Sequence, residues 1–199
     1  MVAPPTVIGY DLRPELLVAA QERHAVTGIA KSEAELVESS DFVLIAVPVR
    51  EILAFLRRQQ EGLRRKVAVT DTGSVKQEIM HLAAELGLRN FVGGHPLAGT
   101  EKRGVASWSS TLFEDANYFL TTGGGVDRDA VGIVTELVTS FGAKAIPVDP
   151  EQHDRRFRWE SGDPRQDQRG RRRSAAMLGP GAGRGVRNEV PGLQPQWRE

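Results

Sequence analysis

The sequence predicts an open, doubly wound α/β fold built on a mostly parallel sheet. Apolar runs of strand length alternate with amphipathic stretches of helical length through the first three quarters of the chain. These runs are apolar at nearly every residue, which is typical of parallel strands that helices cover on both faces. The two patterns together predict the class before any single residue is considered.

Six runs are predicted as strands. They are TVIGY (6–10), DFVLIAVP (41–48), KVAVTD (66–71), NFVGG (90–94), NYFLTT (117–122) and AKAIPV (143–148). Helices are predicted after each of the first three strands and between the last two. They are PELLVAAQERH, VREILAFLRRQ, SVKQEIMHLAAEL and DRDAVGIVTELVTSFG. Pro14 suits the first helical position, and Gly87 and Gly142 suit the position just after a helix.

The alternation stops near residue 154, which divides the chain into residues 1–153 and a tail, 154–199. Before this point acidic side chains outnumber basic ones, and after it the balance reverses, although the formal net charge of the whole is +0. The tail is rich in arginine, glycine and proline, and it has too few aliphatic residues to offset the entropy of ordering. We therefore expect a disordered tail, and its sparse aromatic residues argue against nucleic-acid binding.

Composition excludes several classes of function. The 199 residues include no cysteine, which rules out disulfides, thiol catalysis and cysteine-built metal sites. No histidine spacing of the H-E-x-x-H kind is present, so we expect no metal. No apolar run approaches the roughly 20 residues that cross a bilayer, and no leader pattern opens the chain. A soluble cytoplasmic protein without membrane partners is expected.

Ligands of such sheets bind at the carboxyl ends of the strands. Asp11 follows the first predicted strand, where a carboxylate suits the ribose hydroxyls of NAD and repels the 2′-phosphate of NADP. The alternative is an aspartate that stabilises a helix N-terminus, and nearby Arg13 leaves NADP possible. The usual G-x-G-x-x-G loop does not precede Asp11. The glycines of TTGGGV (121–126) are interpreted as a loop that leads to a helix cap at Asp127.

Two further strand ends provide candidate cofactor contacts. Val47 and Pro48 could line an adenine or nicotinamide ring, although a proline after a strand more often only ends it. Ser74 is predicted first as the cap of the following helix, and a cap at this position also faces the ligand crevice.

His95 is the candidate general base. It ends an apolar strand between Gly94 and Pro96, so we expect a turn to present its imidazole at the sheet edge. The ordinary pKa of histidine, near 6.5, suits proton transfer at working pH. His24 and His81 lie in helical patterns, and no other histidine is identified as a partner. Thr100 and Glu101 follow closely.

Three segments resemble the prephenate and arogenate dehydrogenases of tyrosine biosynthesis. They are TDTGSVKQEI, GGHPLAGTEKRGVASWSSTLFEDANYFLT and PEQHDR, and the likeness extends from about Val7 to Arg155. The resemblance implies a Rossmann-like NAD(P)-binding domain and NAD(P)-dependent oxidative decarboxylation of prephenate to 4-hydroxyphenylpyruvate.

The resemblance also implies roles for individual residues. His95 would draw on the ring hydroxyl of the substrate, and Ser74 would bridge His95, the nicotinamide and that hydroxyl. Thr100 and Glu101 would border the substrate pocket. Arogenate is the alternative substrate, and an inert fragment of the family is the alternative to an enzyme.

The chain departs from the family pattern at both ends. It begins at what corresponds to the family's second strand, and the arginine-rich tail stands where the family has a helical domain that forms the homodimer. We therefore interpret the chain as truncated or frame-shifted. Reading the coding DNA in the other two frames after EQHD tests this interpretation.

Overall fold

The computed structural model describes residues 6–98 and 104–157. Strands in these ranges are β1 (Ile8–Gly9), β2 (Gly28–Ile29), β3 (Phe42–Ile45), β4 (Ala68–Asp71), β5 (Phe91–Pro96), β6 (Asn117–Thr121) and β7 (Lys144–Val148). The α-helices are α1 (Pro14–Glu22), α2 (Glu33–Glu38), α3 (Val49–Leu63), α4 (Gln77–Glu85), α5 (Arg128–Ser140) and α6 (Pro150–Phe157). A turn of 3-10 helix spans Val105–Ser107.

The strands form two sheets, and the prediction of a mostly parallel α/β fold is confirmed. One sheet pairs β1 with β2 in parallel, and the other has the order β3-β4-β5-β6-β7. Within the larger sheet, β5 and β6 are antiparallel, while each remaining pair is parallel. Parallel strands usually need a crossover helix, and the described part of the β5–β6 connection contains only the 3-10 turn.

Helices cover both faces of the larger sheet. On one face, α3 and α4 pack buried side chains against β3, β4 and β5. On the other face, α5 packs against β5 and β6. This arrangement explains why the strands are apolar at nearly every position, since both of their faces are buried.

The predicted helix ends are confirmed. Pro14 is the first residue of α1. Gly87 and Gly142 follow α4 and α5 with φ angles of 67° and 76°, in the left-handed region that favours glycine. Asp127 is the N-cap residue of α5, as predicted. Its carboxylate makes no capping hydrogen bond and lies 3.4 Å from the guanidinium of Arg89.

Before β3, the two short elements β2 and α2 were not predicted. The strand is only two residues long, too short for a periodic signal. The helix does have a local signal, because Ser32 accepts a hydrogen bond from the Glu35 amide at 3.1 Å. The Glu35 carboxylate accepts one in turn from the Lys31 amide at 2.8 Å. This S-x-x-E arrangement resembles a capping box.

The predicted domain boundary at residue 154 falls inside α6. The helix continues to Phe157, whose side chain is buried. Its ring packs against those of His95 and Phe119, and this apolar contact extends the fold past the predicted end. Residues 158–199, the rest of the predicted tail, lie outside the described residues. No helix in the described ranges has both the length and the apolar character needed to cross a bilayer.

Candidate active site

The sequence predicts a turn at His95, but the structure places this residue within β5. It pairs with Phe119 of β6, and the ladder continues to Pro96. The chain stays extended here because β6 runs alongside it. Only 7% of the His95 surface is exposed, so the strand places the imidazole in a largely water-free environment.

A buried ion pair fixes the backbone just before His95. Asp71 ends β4, is fully buried, and accepts hydrogen bonds from the amides of Gly73 (2.8 Å) and Gly94 (3.0 Å). The Lys76 ammonium, also fully buried, donates to the Asp71 carboxylate and to the Gly94 carbonyl, the latter at 2.7 Å. Asp71 and Lys76 therefore tie the turn after β4 to the strand that holds His95.

Two features of the Lys76 environment have opposite effects on its pKa. Burial lowers the pKa of the Lys76 ammonium, and the Asp71 carboxylate counteracts this effect. Removing one member of such a pair leaves a buried charge without compensation, which typically costs about 3–5 kcal/mol. The pair therefore constrains the local geometry strongly.

Gly94 is required by the close approach of neighbouring atoms. A Cβ at this position would lie 2.3 Å from the backbone oxygen of Asp71 and 3.0 Å from Cε1 of Tyr118. No side chain fits at these distances, so the glycine allows β5 to lie directly against the end of β4.

A second histidine contacts the first. Nδ1 of His95 lies 2.8 Å from Nε2 of His153 in α6. Nδ1 of His153 lies 2.7 Å from Oδ1 of Asp154, and that carboxylate also accepts hydrogen bonds from the amides of Lys76 (2.7 Å) and Gln77 (2.9 Å). Asp154 therefore caps α4 from another helix while it holds the His153 ring.

Aromatic rings enclose the two imidazoles. The Phe157 ring centroid lies 5.5 Å from that of His95 and 4.9 Å from that of His153. Phe119 contacts His153 and Phe157 with centroid separations of 6.0 and 5.1 Å. These rings exclude water from the side of His95 that faces α6.

Both histidines are neutral at physiological pH. Burial lowers the pKa of His95 to about 4. Repulsion from His153, once that ring is protonated, and from the Lys76 ammonium adds to this effect, while Asp154 opposes it. Burial also lowers the pKa of His153, and its hydrogen bond to Asp154 opposes the shift. Because Nδ1 of His95 is hydrogen-bonded to His153, Nε2 is the ring nitrogen that is free to receive a proton from a substrate.

Ser74 is exposed in the turn after β4, one strand away from His95. The prediction that it caps the next helix was wrong. The N-cap residue of α4 is Lys76, and Asp154 supplies the capping oxygens from a distant part of the sequence. The structure places Ser74 and His95 after neighbouring strands, and among the described residues no hydrogen bond joins the two side chains.

The other candidates lie at the carboxyl ends of β1 and β3. The Asp11 carboxylate accepts a hydrogen bond from the Arg13 amide at 2.8 Å, and the Arg13 guanidinium lies 3.4 Å away. Val47 and Pro48 are exposed, and Pro48 is the N-cap residue of α3. Thr100 and Glu101 lie outside the described residues.

The sequence interpretation that His95 lacks a histidine partner was wrong. His153 and Asp154 lie in the PEQHDR segment that resembles the family, and the sequence patterns assign neither of them a function. Their adjacency directly after the last strand was the available signal, because that position brings both to the sheet edge. Among the described residues, no three histidine or acidic side chains form a group that could hold a metal ion.

Comparison with known proteins identifies the domain. Residues 3–147 match the family model described as prephenate dehydrogenase, nucleotide-binding domain. A prephenate dehydrogenase of Bacillus subtilis is 36% identical over 151 residues, which cover 74% of this chain and 41% of that protein. One from Lactococcus lactis is 36% identical over 156 residues, 75% of this chain and 41% of that protein. The chain thus spans about two fifths of the curated relatives it matches.

Solved structures give the same assignment. Prephenate dehydrogenase from Aquifex aeolicus superposes with a TM-score of 0.75 at 30% identity, covering 89% of this chain and 64% of that one. The same enzyme has been solved in complex with hydroxyphenyl propionate and NAD+ (TM-score 0.75, 29% identity, 89% and 63% coverage). Synechocystis arogenate dehydrogenase superposes with a TM-score of 0.73 at 26% identity, with 88% and 63% coverage. The chain therefore belongs to the family of prephenate dehydrogenase nucleotide-binding domains.

Proposed function

We propose that this chain provides the catalytic base of a prephenate dehydrogenase, which oxidises and decarboxylates prephenate to 4-hydroxyphenylpyruvate in tyrosine biosynthesis. The observation that supports this most directly is the neutral, buried His95, whose Nδ1 is already engaged by His153. A base for a hydroxyl proton must be unprotonated at working pH and must point a lone pair at the substrate. The lowered pKa of His95 meets the first requirement, and the engaged Nδ1 favours the second.

In the proposed reaction, Nε2 of His95 takes the proton of the ring hydroxyl. Bound NAD supplies the chemistry of a hydride acceptor for the hydrogen on the same ring carbon. The bond to the ring carboxylate then breaks, carbon dioxide leaves, and its electron pair makes the ring aromatic. The proton returns from His95 to the phenolate oxygen, so the overall reaction releases no proton and His95 is restored.

The residues present fit two portions of NAD. The Asp11 carboxylate at the end of β1 suits the hydroxyls of a ribose and disfavours a 2′-phosphate, so we propose NAD as the cofactor with NADP as the weaker alternative. Val47, 42% exposed, and Pro48 offer an apolar surface to a ring at the end of β3. Ser74 provides an exposed hydroxyl at the end of β4, next to the strand that holds His95.

The pyrophosphate of NAD is matched less well. The sequence contains no G-x-G-x-x-G, the loop whose backbone amides hold this group at a helix N-terminus. We therefore propose that NAD binds this chain through its two ends and that its affinity is weak.

The remaining site assignments follow the sequence match. We propose that Thr100 and Glu101, just after β5, border the substrate pocket, and that Ser74 hydrogen-bonds the substrate hydroxyl. Prephenate is preferred to arogenate as the substrate because the prephenate dehydrogenase relatives are 36% identical and the arogenate dehydrogenase structure 26%. We place the reaction in the cytoplasm, where NAD is freely available.

The proposal is tested by mixing the full chain with NAD and prephenate and following the near-ultraviolet absorbance of NADH, with arogenate in a parallel reaction. We expect NADH and 4-hydroxyphenylpyruvate in equal amounts, and faster turnover with prephenate. His95→Asn should lower kcat by about 100-fold or more, with NAD affinity little changed, because general base catalysis contributes on this scale.

His81→Gln is the matched control, since His81 is an exposed histidine on α4 and is not part of the site. It should leave kcat unchanged. If the folded chain binds NAD and yields no NADH above the blank with either substrate, the chain is an inert member of the family and the proposal is wrong.

A further inference from the structure

The hydrogen bonds around His95 have a direction that the donors and acceptors determine. A carboxylate only accepts hydrogen bonds. Oδ1 of Asp154 lies 2.7 Å from Nδ1 of His153, so the hydrogen of that bond belongs to Nδ1 of His153. A neutral imidazole carries one hydrogen, and Nε2 of His153 is therefore an acceptor.

The same reasoning determines which ring nitrogen of His95 carries the hydrogen. Its Nδ1 lies 2.8 Å from the acceptor Nε2 of His153, so Nδ1 of His95 must be the donor. The single hydrogen of the neutral His95 ring is then on Nδ1, which leaves the lone pair on Nε2. We propose that Asp154, His153 and His95 form a directional hydrogen-bond chain in which His153 is a positioning residue that holds the base in this one tautomer.

The fold holds Asp154, the first residue of the hydrogen-bond chain, in place. Besides contacting His153, the Asp154 carboxylate accepts hydrogen bonds from the amides of Lys76 and Gln77 at the N-terminus of α4. His153 is fully buried, and the rings of Phe119 and Phe157 pack against it. Neither side chain can turn without losing these contacts.

The hydrogen-bond chain also affects the stability of the protonated form of His95. When Nε2 takes a proton, the positive charge lies two hydrogen bonds from the Asp154 carboxylate. Among the described residues, the charged and titratable groups that act on His95 are His153 and Asp154 of α6 and Lys76 before α4. Phe119 of β6, which pairs with His95, carries no charge. Asp154 is the only one of them that stabilises the imidazolium, and it does so through His153.

The tautomer can be measured without turnover. Long-range proton–nitrogen NMR spectra of the histidine rings in the full chain show which ring nitrogen bears the hydrogen. We expect Nδ1–H for His95 and Nδ1–H for His153 at neutral pH. A wild-type spectrum with the hydrogen on Nε2 of His95 would overturn the proposal, whatever the variants do.

Two variants of His153 isolate its contribution. His153→Phe keeps an aromatic ring among the phenylalanines and removes the acceptor, so His95 should shift to the Nε2–H form or to a mixture. His153→Gln offers its amide oxygen to the Nδ1–H of His95 and should restore the wild-type tautomer. An unchanged tautomer in a folded His153→Phe protein would contradict a positioning role for His153.

The effect on turnover rests on the proposed function and is measured separately. His153→Phe should lower kcat by about 10- to 100-fold with little change in the KM for prephenate, since a base in the wrong tautomer cannot accept the proton. His153→Gln should recover most of this loss. If the wild-type protein is inactive but shows the expected tautomers, the proposed function is wrong and the proposed hydrogen-bond chain still stands. If the protein is active but His95 has the opposite tautomer, the hydrogen-bond chain is wrong and the proposed function still stands.

Discussion

At the scale of single residues, the environment of His95 determines its chemistry. An exposed histidine would be partly protonated near neutral pH, but burial beside Lys76 and His153 keeps this one neutral. The same burial makes the folded chain sensitive to acid, because the unfolded chain exposes the imidazole to water.

The stability of the fold should therefore fall as the pH decreases below about 6.5, the ordinary pKa of histidine in an unfolded chain. Burial lowers the pKa of His95 to about 4 in the folded chain, so the unfolded state takes up the proton first. Between these two values the free energy of unfolding should decrease by up to about 3 kcal/mol, with no contribution from this group at higher pH. Burial of His153 acts in the same direction.

Urea unfolding at several pH values measures this effect. His95→Gln should reduce the pH-dependent loss relative to the wild type, and His81→Gln, at an exposed site, should not. Equal pH slopes for the wild type and His95→Gln would show that the imidazole is not held neutral by the fold.

At the scale of elements, the site depends on how closely β4 and β5 approach. Gly94→Ala places a methyl group 2.3 Å from the backbone oxygen of Asp71, so one strand must move. We expect a loss of about 1–3 kcal/mol or more in the free energy of unfolding. A change in the NMR signals of the His95 ring should accompany it, because the shifted strand holds that residue.

Gly124→Ala is the matched control for this substitution. A Cβ at Gly124 meets no atom within 4 Å, so stability should change little. If Gly94→Ala were as stable as Gly124→Ala, the close packing of β4 on β5 would not be a requirement of the fold.

The elements also show what sequence could and could not predict. Local apolar patterns predict the strands β4 and β5 and the helices α3 and α5. They also predict the position of His95 at the carboxyl end of its strand. The helix α6 was missed because its hydrophobic signal is a single residue, Phe157, whose partners lie far away in the sequence.

At the scale of the whole molecule, the site is assembled from contacts between distant residues. His95 and His153 are 58 positions apart, and Asp154 caps a helix that begins 77 positions earlier. No local pattern reports such pairs, so the sequence indicates His95 as the candidate base but does not indicate His153 and Asp154 beside it. The capping role assigned to Ser74 failed for the same reason, since a residue from α6 supplies that cap.

The pH dependence of kcat/KM for prephenate shows whether His95 is a neutral base that is ready to accept the substrate proton. This ratio reports the ionisation of essential groups in the free enzyme. Because burial lowers the pKa of His95 to about 4, kcat/KM should stay flat as the pH falls from about 8 to about 5. A tenfold decline per pH unit that begins near 6.5, the ordinary pKa of histidine, would show that the surroundings of His95 do not keep it neutral.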